Sequence, residues 1–275
     1  LEDRRFHEHE FGRSLWTNDA VSIISMAMPH RLQRASKSAP VHYRTAVLPR
    51  GLRAYVIGDV HGMSDLLNDV FRRIDADVAN SAPACVVEII LGDLVDRGPD
   101  SAKVLGAVMA RKQETALVCL AGNHEIYMIE ALARQDAFQA WMKVGGDATV
   151  RSFGVVPPPA TELAEAHRAF SAAVPRAYRR FLHTLQPMHC LGDYLFVHAG
   201  VLPGVPLAQQ SMADLTMIRT PFLTSELAHG YVVVHGHSPT QQVDFRKNRI
   251  NLDTGAYRSG VLSCIVIEGS TVRHL

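Results

Sequence analysis

The sequence predicts an α/β protein of two stacked sheets flanked by helices, and three observations carry that reading. Apolar runs at 54–57, 85–91 and 116–120 each finish on a glycine followed by Asp or Asn. Helical spacing of apolar residues follows the first run at 64–78 and the second at 101–111, where Pro99, Asp100 and Ser101 supply start signals. Short strand-like runs then return at 194–197, 231–234, 249–252 and 261–267, separated by Gly and Asp, which predicts a second sheet with antiparallel pairing.

Each segment has a local reason. The first two units have βα character, and the polar residues that close the three early runs fall at the carboxyl ends of strands. The stretch 126–185 reads as mostly helical, broken by Gly145-Gly146 and by Pro157-Pro158-Pro159, and is expected to form a helical cap. Residues 1–50 lack the strand and turn alternation and read as an appended arm, leaving 51–275 as the main domain. Within the arm, His7-Glu8-His9-Glu10 reads as a solvated segment rather than a metal site.

Bulk properties narrow the partners. A chain of 275 residues can bury a full core, and a formal net charge of +1 gives no global field for nucleic acid or an anionic membrane. Cys85, Cys119, Cys190 and Cys264 show no metal-type or paired spacing and read as buried, reduced thiols, which suits the cytoplasm. The apolar stretch 21–28 is too short to span a bilayer.

Five short motifs carry chemistry. Asp59 and His61 stand two apart on a Gly-bounded loop, where both can face one ion. Asp93, Asp96 and Arg97 lie between Gly92 and Gly98; Asn123 and His124 follow Gly122. His198 and the pair His235 and His237 close later apolar runs. A mixed Asp, Asn and His set suits divalent ions such as Mn²⁺, Fe²⁺ or Zn²⁺ better than an all-oxygen calcium cage. Singly, each string is common in ordinary turns; their joint order at strand ends is what points to a site.

The strings Gly58-Asp59-x-His61-Gly62, Gly92-Asp93-x-Val95-Asp96-Arg97-Gly98, Gly122-Asn123-His124-Glu125, His198-Ala199-Gly200 and Gly236-His237 resemble the ordered signature of the phosphoprotein phosphatase family of metallophosphoesterases. The resemblance runs from about residue 53 to 267. Met217-Ile218-Arg219, the stretch 141–154 and Asn251-Leu252-Asp253-Thr254-Gly255-Ala256 are similar to its small bacterial Ser/Thr branch. It implies a calcineurin-like two-sheet sandwich with two divalent ions, Mn²⁺ first among them and Fe or Zn as alternatives. Asp59 and His61 are implied to hold one ion, Asp93 to bridge, and Asn123, His198 and His237 to hold the other. His235 is expected to be a hydrogen-bonded histidine at a strand end.

What the resemblance implies for function is phosphate removal from phosphoserine or phosphothreonine in a phosphoprotein or phosphopeptide, by attack of a metal-bridging hydroxide. Arg97 and Arg219 would neutralise the phosphoryl oxygens, and His124, oriented by Asp96, would protonate the leaving group. Tyr257 and Arg258 could line the substrate groove, whereas Phe138 and Trp141 read as packing residues. Hydrolysis of diadenosine tetraphosphate is the alternative, because such enzymes resemble the same motif set. A non-catalytic phosphate-binding module is the third reading, disfavoured because the whole motif set is present.

Overall fold

In a computed structural model, which describes residues 42–156 and 162–275, the early apolar runs become three adjacent strands of a five-stranded sheet. Strand β1 (Leu52–Ile57) leads through helix α1 (Ser64–Ser81) to β2 (Cys85–Ile90), then through α2 (Ser101–Glu114) to β3 (Leu117–Cys119), all parallel. Alternation along β1 shows why both faces are covered: Tyr55 and Ile57 pack with the helices, while Ala54 and Val56 pack toward the second sheet.

Residues 123–182 fold into α3 (Asn123–Ala133), α4 (Gln135–Trp141), α5 (Asp147–Ser152), α6 (Leu163–Ala173) and α7 (Arg176–Leu182). Their apolar faces share one core with the first sheet, with Phe138, Trp141 and Phe170 packed ring against ring. Packing is thus the role of Phe138, as expected. The chain bends at Gly145, whose φ of 114° is open to glycine. The arm residues His7 to Glu10, the stretch 21–28 and the Pro157–Pro159 turn lie outside the described residues.

The second sheet runs in the order β4 (Met188–Leu191), β5 (Tyr194–Val197), β6 (Val232–His235), β8 (Arg249–Asn251) and β7 (Asp244–Phe245). Two expectations are corrected here. The inner pairs β5–β6 and β6–β8 are parallel, and antiparallel pairing is confined to the flanks. The reason is topological: a long connection carrying α8 (Met212–Met217) and α9 (Thr220–Leu223) separates β5 from β6 and lets the chain return in the same direction. The run at 261–267 forms β9 (Cys264–Glu268), which pairs antiparallel with β1 in the first sheet and turns into β10 (Thr271–His274).

Between the sheets, Val56, Ile89 and Ile265 meet Tyr194, Phe196, Val234 and Ile250, and on the outer face Leu195, Val197 and Val233 meet Leu215 and Phe222. Helix, sheet, sheet and helix therefore stack as four layers. Cys119 and Cys264 are buried in this frame and Cys190 partly so, but Cys85 is exposed, because it opens β2 at the edge where the chain enters the sheet. All four thiols are free.

Residues 42–50 are tied to the sandwich. Ala46 and Leu48 are buried with the inter-sheet core. Val47 N–H donates to Asp193 Oδ2 at 3.1 Å, Leu48 N–H to Gly269 O at 2.9 Å, and Tyr43 N–H to Lys247 O at 3.1 Å. One strap thus joins three hairpin turns, which belong to both sheets.

At the opposite ends of the strands, Glu125 sets the loop that follows β2. Its Oε2 accepts the N–H groups of Gly122 and Asp93, both at 2.9 Å, and its Oε1 accepts those of Leu94 and Val95 at 2.7 and 3.2 Å. That loop in turn accepts Val60 and His61 N–H on Asp93 O. Glu125→Gln would turn an amide NH₂ toward two of these buried donors, and we expect a loss of at least about 2 kcal/mol in urea unfolding. Leu48→Ala should cost about 2–4 kcal/mol in the same measurement, as a truncation inside a closed core.

Candidate metal centre

The five motifs meet where the strands end. Asp59 and His61 follow β1, Asp93 to Arg97 follow β2, and Asn123 and His124 begin α3 after β3. His198 follows β5 and His237 follows β6. The loops interlock at their glycines: a β-carbon on Gly122 would collide with Asp93 Oδ1, and one on Gly236 would collide with Asp59 Oδ1. Five of the polar residues, His61, Asp93, Asp96, Arg97 and His237, have φ between 44° and 74°. Side chains other than glycine rarely adopt that region, so the surrounding contacts must hold them there.

Asp93 is the hub. Its Oδ2 stands 3.4 Å from His61 Nε2 and its Oδ1 stands 3.4 Å from His198 Nε2. Ligand-type atoms of His61, Asp93 and His124 lie within 4.8 Å of one another, and so do those of Asp93, His198 and His237. Asn123 Oδ1 is 3.1 Å from His198 Nε2, and Asp59 Oδ2 accepts the backbone N–H of His237 at 2.9 Å. The six residues expected as ligands, Asp59, His61, Asp93, Asn123, His198 and His237, are thereby gathered around one hub, all buried.

Their chemistry fits a pair of divalent cations. His61 Nδ1 and His198 Nδ1 each lie 2.9 Å from a carbonyl, Val95 O and Leu91 O, so the N–H is spent there and Nε2 faces inward. Asp59 Oδ1 and His237 Nε2 are buried without a hydrogen-bond partner among the described residues. Burial, and next the Asp253 carboxylate, push Asp59 well above the ordinary carboxylate range. Burial also opposes the charge on Asp93, but His198, His124 and His61 outweigh it and hold Asp93 well below that range. Burial keeps His61 and His237 neutral, the form that coordinates a metal, while His198 is taken up to about 10 because Asp93 overcomes the effect of burial.

Around this hub stand the other candidate residues. His124 Nδ1 is 2.6 Å from Asp96 Oδ2, the pairing expected from the sequence. Burial pushes Asp96 up to about 8, against the pull of Thr149 and Trp141. Those two donors escaped the sequence reading: Thr149 Oγ1 donates to Asp96 Oδ1 and Trp141 Nε1 to Asp96 Oδ2, both at 2.6 Å. Trp141 therefore packs, as expected, and also donates a hydrogen bond. Arg97 Nη1 lies 2.9 Å from His61 Nε2, Arg219 is near enough to His237 to lower its pKa, and the Tyr257 ring stands edge-on to His61 at 5.5 Å. His235 has Nδ1 3.0 Å from Gly236 O and its ring edge-on to Phe222, while its Nε2 is buried without a hydrogen-bond partner among the described residues.

The family description "Calcineurin-like phosphoesterase" matches residues 52–261, a span that contains every loop of the site. The chain is 30% identical over 159 residues to the zinc-dependent endopolyphosphatase of Saccharomyces cerevisiae, covering 54% of this chain and 47% of that protein. It is 29% identical over 191 residues to a symmetrical bis(5'-nucleosyl)-tetraphosphatase of Acidovorax sp. (strain JS42), covering 67% and 57%. Serine/threonine-protein phosphatase 2 of Escherichia coli is 22% identical over 222 residues, covering 78% of this chain and 92% of that one. The chain thus spans about half the length of the first two of these relatives. A cold-active protein tyrosine phosphatase of known structure shares the fold, with a TM-score of 0.54 at 16% identity, covering 84% of this chain and 82% of that one. Two packed mixed sheets, ligand-type side chains on the loops after β1, β2, β3, β5 and β6 and a match across 52–261 lead to one conclusion: the chain belongs to the calcineurin-like phosphoesterase family.

Proposed function

We propose that the protein removes phosphate from phosphoserine and phosphothreonine in proteins, with the ions held by Asp59, His61, Asp93, Asn123, His198 and His237. The observation that carries the reading is the placement of Asp93, whose two oxygens address two different histidine groups. Two ions held there would supply Lewis acidity and lower the pKa of a water. Several divalent ions suit this donor set; Mn²⁺ is our first choice, with Fe or Zn compatible.

The protein's own groups would do the rest. Arg97 and Arg219, as forked donors, would grip phosphoryl oxygens where charge gathers. His124 would give its proton to the departing alkoxide through Nε2, while Asp96 holds Nδ1 and fixes the ring. Thr149 and Trp141 would keep the Asp96 carboxylate aimed, so that the imidazole cannot rotate. Tyr257 would wall the substrate side of His61. The free thiols suit a reducing compartment such as the cytoplasm, and no helix among the described residues is long and apolar enough to cross a membrane.

The protein-phosphatase reading is supported by the relative whose length this chain matches over 92%. A dinucleotide polyphosphate substrate is the second reading, supported by the higher identity to the tetraphosphatase. Inorganic phosphate released from a phosphopeptide, set against ADP released from diadenosine tetraphosphate, decides between them; ADP alone would end the first reading. Chelation should abolish activity and Mn²⁺ restore it, as followed with an aryl phosphate. His124→Asn should lower kcat by about a hundredfold or more with metal content unchanged by elemental analysis, and undiminished kcat would remove His124 from the chemistry.

A further inference from the structure

The one-turn helix α10 (Ala256–Ser259) is fixed at both ends. Gly255 and Gly260 hold φ of 63° and 71°, Asp253 Oδ1 accepts Gly255 N–H at 2.8 Å, and Thr254 Oγ1 donates to Val261 O at 2.8 Å. Ala256 is buried beneath it, so the next two side chains leave the helix in set directions. Tyr257 turns its ring to His61 at 5.5 Å. Two guanidinium groups then stand against that same ring, Arg97 Cζ at 5.2 Å and Arg258 Cζ at 5.3 Å from its centroid.

The two arginines differ in what else they touch. Arg97 reaches inward to His61 Nε2. Arg258 is exposed, and among the described residues its guanidinium has neither a hydrogen-bond acceptor nor a carboxylate partner. It contrasts with Arg53 and Arg111, whose guanidinium groups are each tied to two carboxylates. A cation set beside the phosphate-gripping residue, oriented by an aromatic face and without an internal anion, is suited to a ligand's anion.

We propose that Arg258 is a specificity-determining residue that binds a second phosphate on the substrate, next to the one that is cleaved. This rests on the reading of Arg97 as a grip on the cleaved group. The forked donor geometry of guanidinium matches phosphate oxygens, and each of the two guanidinium groups is set against the same Tyr257 ring, at 5.2 and 5.3 Å from its centroid. The second phosphate could sit on a neighbouring phosphoserine or on the next phosphorus of a polyphosphate chain.

The test compares kcat/KM of the Mn²⁺-loaded wild type, Arg258→Ala and Arg258→Lys on a singly phosphorylated peptide and on the same peptide with an adjacent second phosphoserine. We expect the wild type to prefer the doubly phosphorylated peptide by about fivefold or more, mostly in KM, Arg258→Ala to erase that preference, and Arg258→Lys to keep part of it. An unchanged preference in Arg258→Ala, or no preference in the wild type, overturns the proposal. Diadenosine tetraphosphate and p-nitrophenyl phosphate form the second arm. Should the wild type cleave the dinucleotide and neither peptide, the protein-phosphatase reading falls while Arg258 is still judged. A fall in the dinucleotide to aryl-phosphate ratio in Arg258→Ala supports it, and a constant ratio overturns it.

Discussion

Buried carboxyl groups are the constraint around which this structure is arranged. Asp59, Asp93, Asp96, Glu125 and Asp253 all lie at or below 2% exposure near the ends of the strands. A carboxyl group removed from water must find donors or cations; Asp253 takes the N–H of Gly255, and the other four find different solutions. Glu125 is satisfied by four backbone N–H groups, and Asp96 by Thr149, Trp141 and His124. Asp93 has histidines on both oxygens, and Asp59 has one N–H and one oxygen without a partner. The first two are saturated by protein groups: Glu125 fixes the loop after β2, and Asp96 carries the ring of His124. Asp93 and Asp59 are the two that we propose as ion ligands.

The same division explains the backbone. A residue at positive φ costs free energy that must be offset by contacts around it. His61, Asp93, Asp96, Arg97 and His237 all take such angles, and the bonds to Glu125, the close approaches of Gly122 and Gly236 and the contact of Gly145 with Arg97 fix their loops. Precision at the hub therefore comes in part from residues outside the proposed ligand set. Phe222, which fills the space beside Gly200, plays a comparable part for the loop after His198.

How much of this was legible in the sequence follows from distance along the chain. The ligand-type residues could be read because each sits beside its glycine in a string of a few residues, and the three early strands could be read because their runs are almost wholly apolar, with Glu88 the one charged residue in them. The support around them could not. Thr149 and Asp96 are 53 positions apart and Trp141 and Asp96 are 45 apart, with no spacing rule to connect them. Pairing in the second sheet was equally hidden: strands of two to four residues carry too little alternation to state their direction, and β9 joins β1 across most of the chain. Ala46 and Leu48 lie in an otherwise exposed stretch, so two buried positions left no periodic signal.

The strap at 42–50 and the hub lie at opposite poles, since β1 starts beside the strap at Leu52 and ends beside the hub at Ile57. Six extended residues put about 20 Å of packed sheet between them. Thr45 and Val47 are exposed on that far pole. A surface that grips the protein there would leave the hub on the side away from the support, so immobilisation through the strap gives an orientation in which the strand-end loops still face solution.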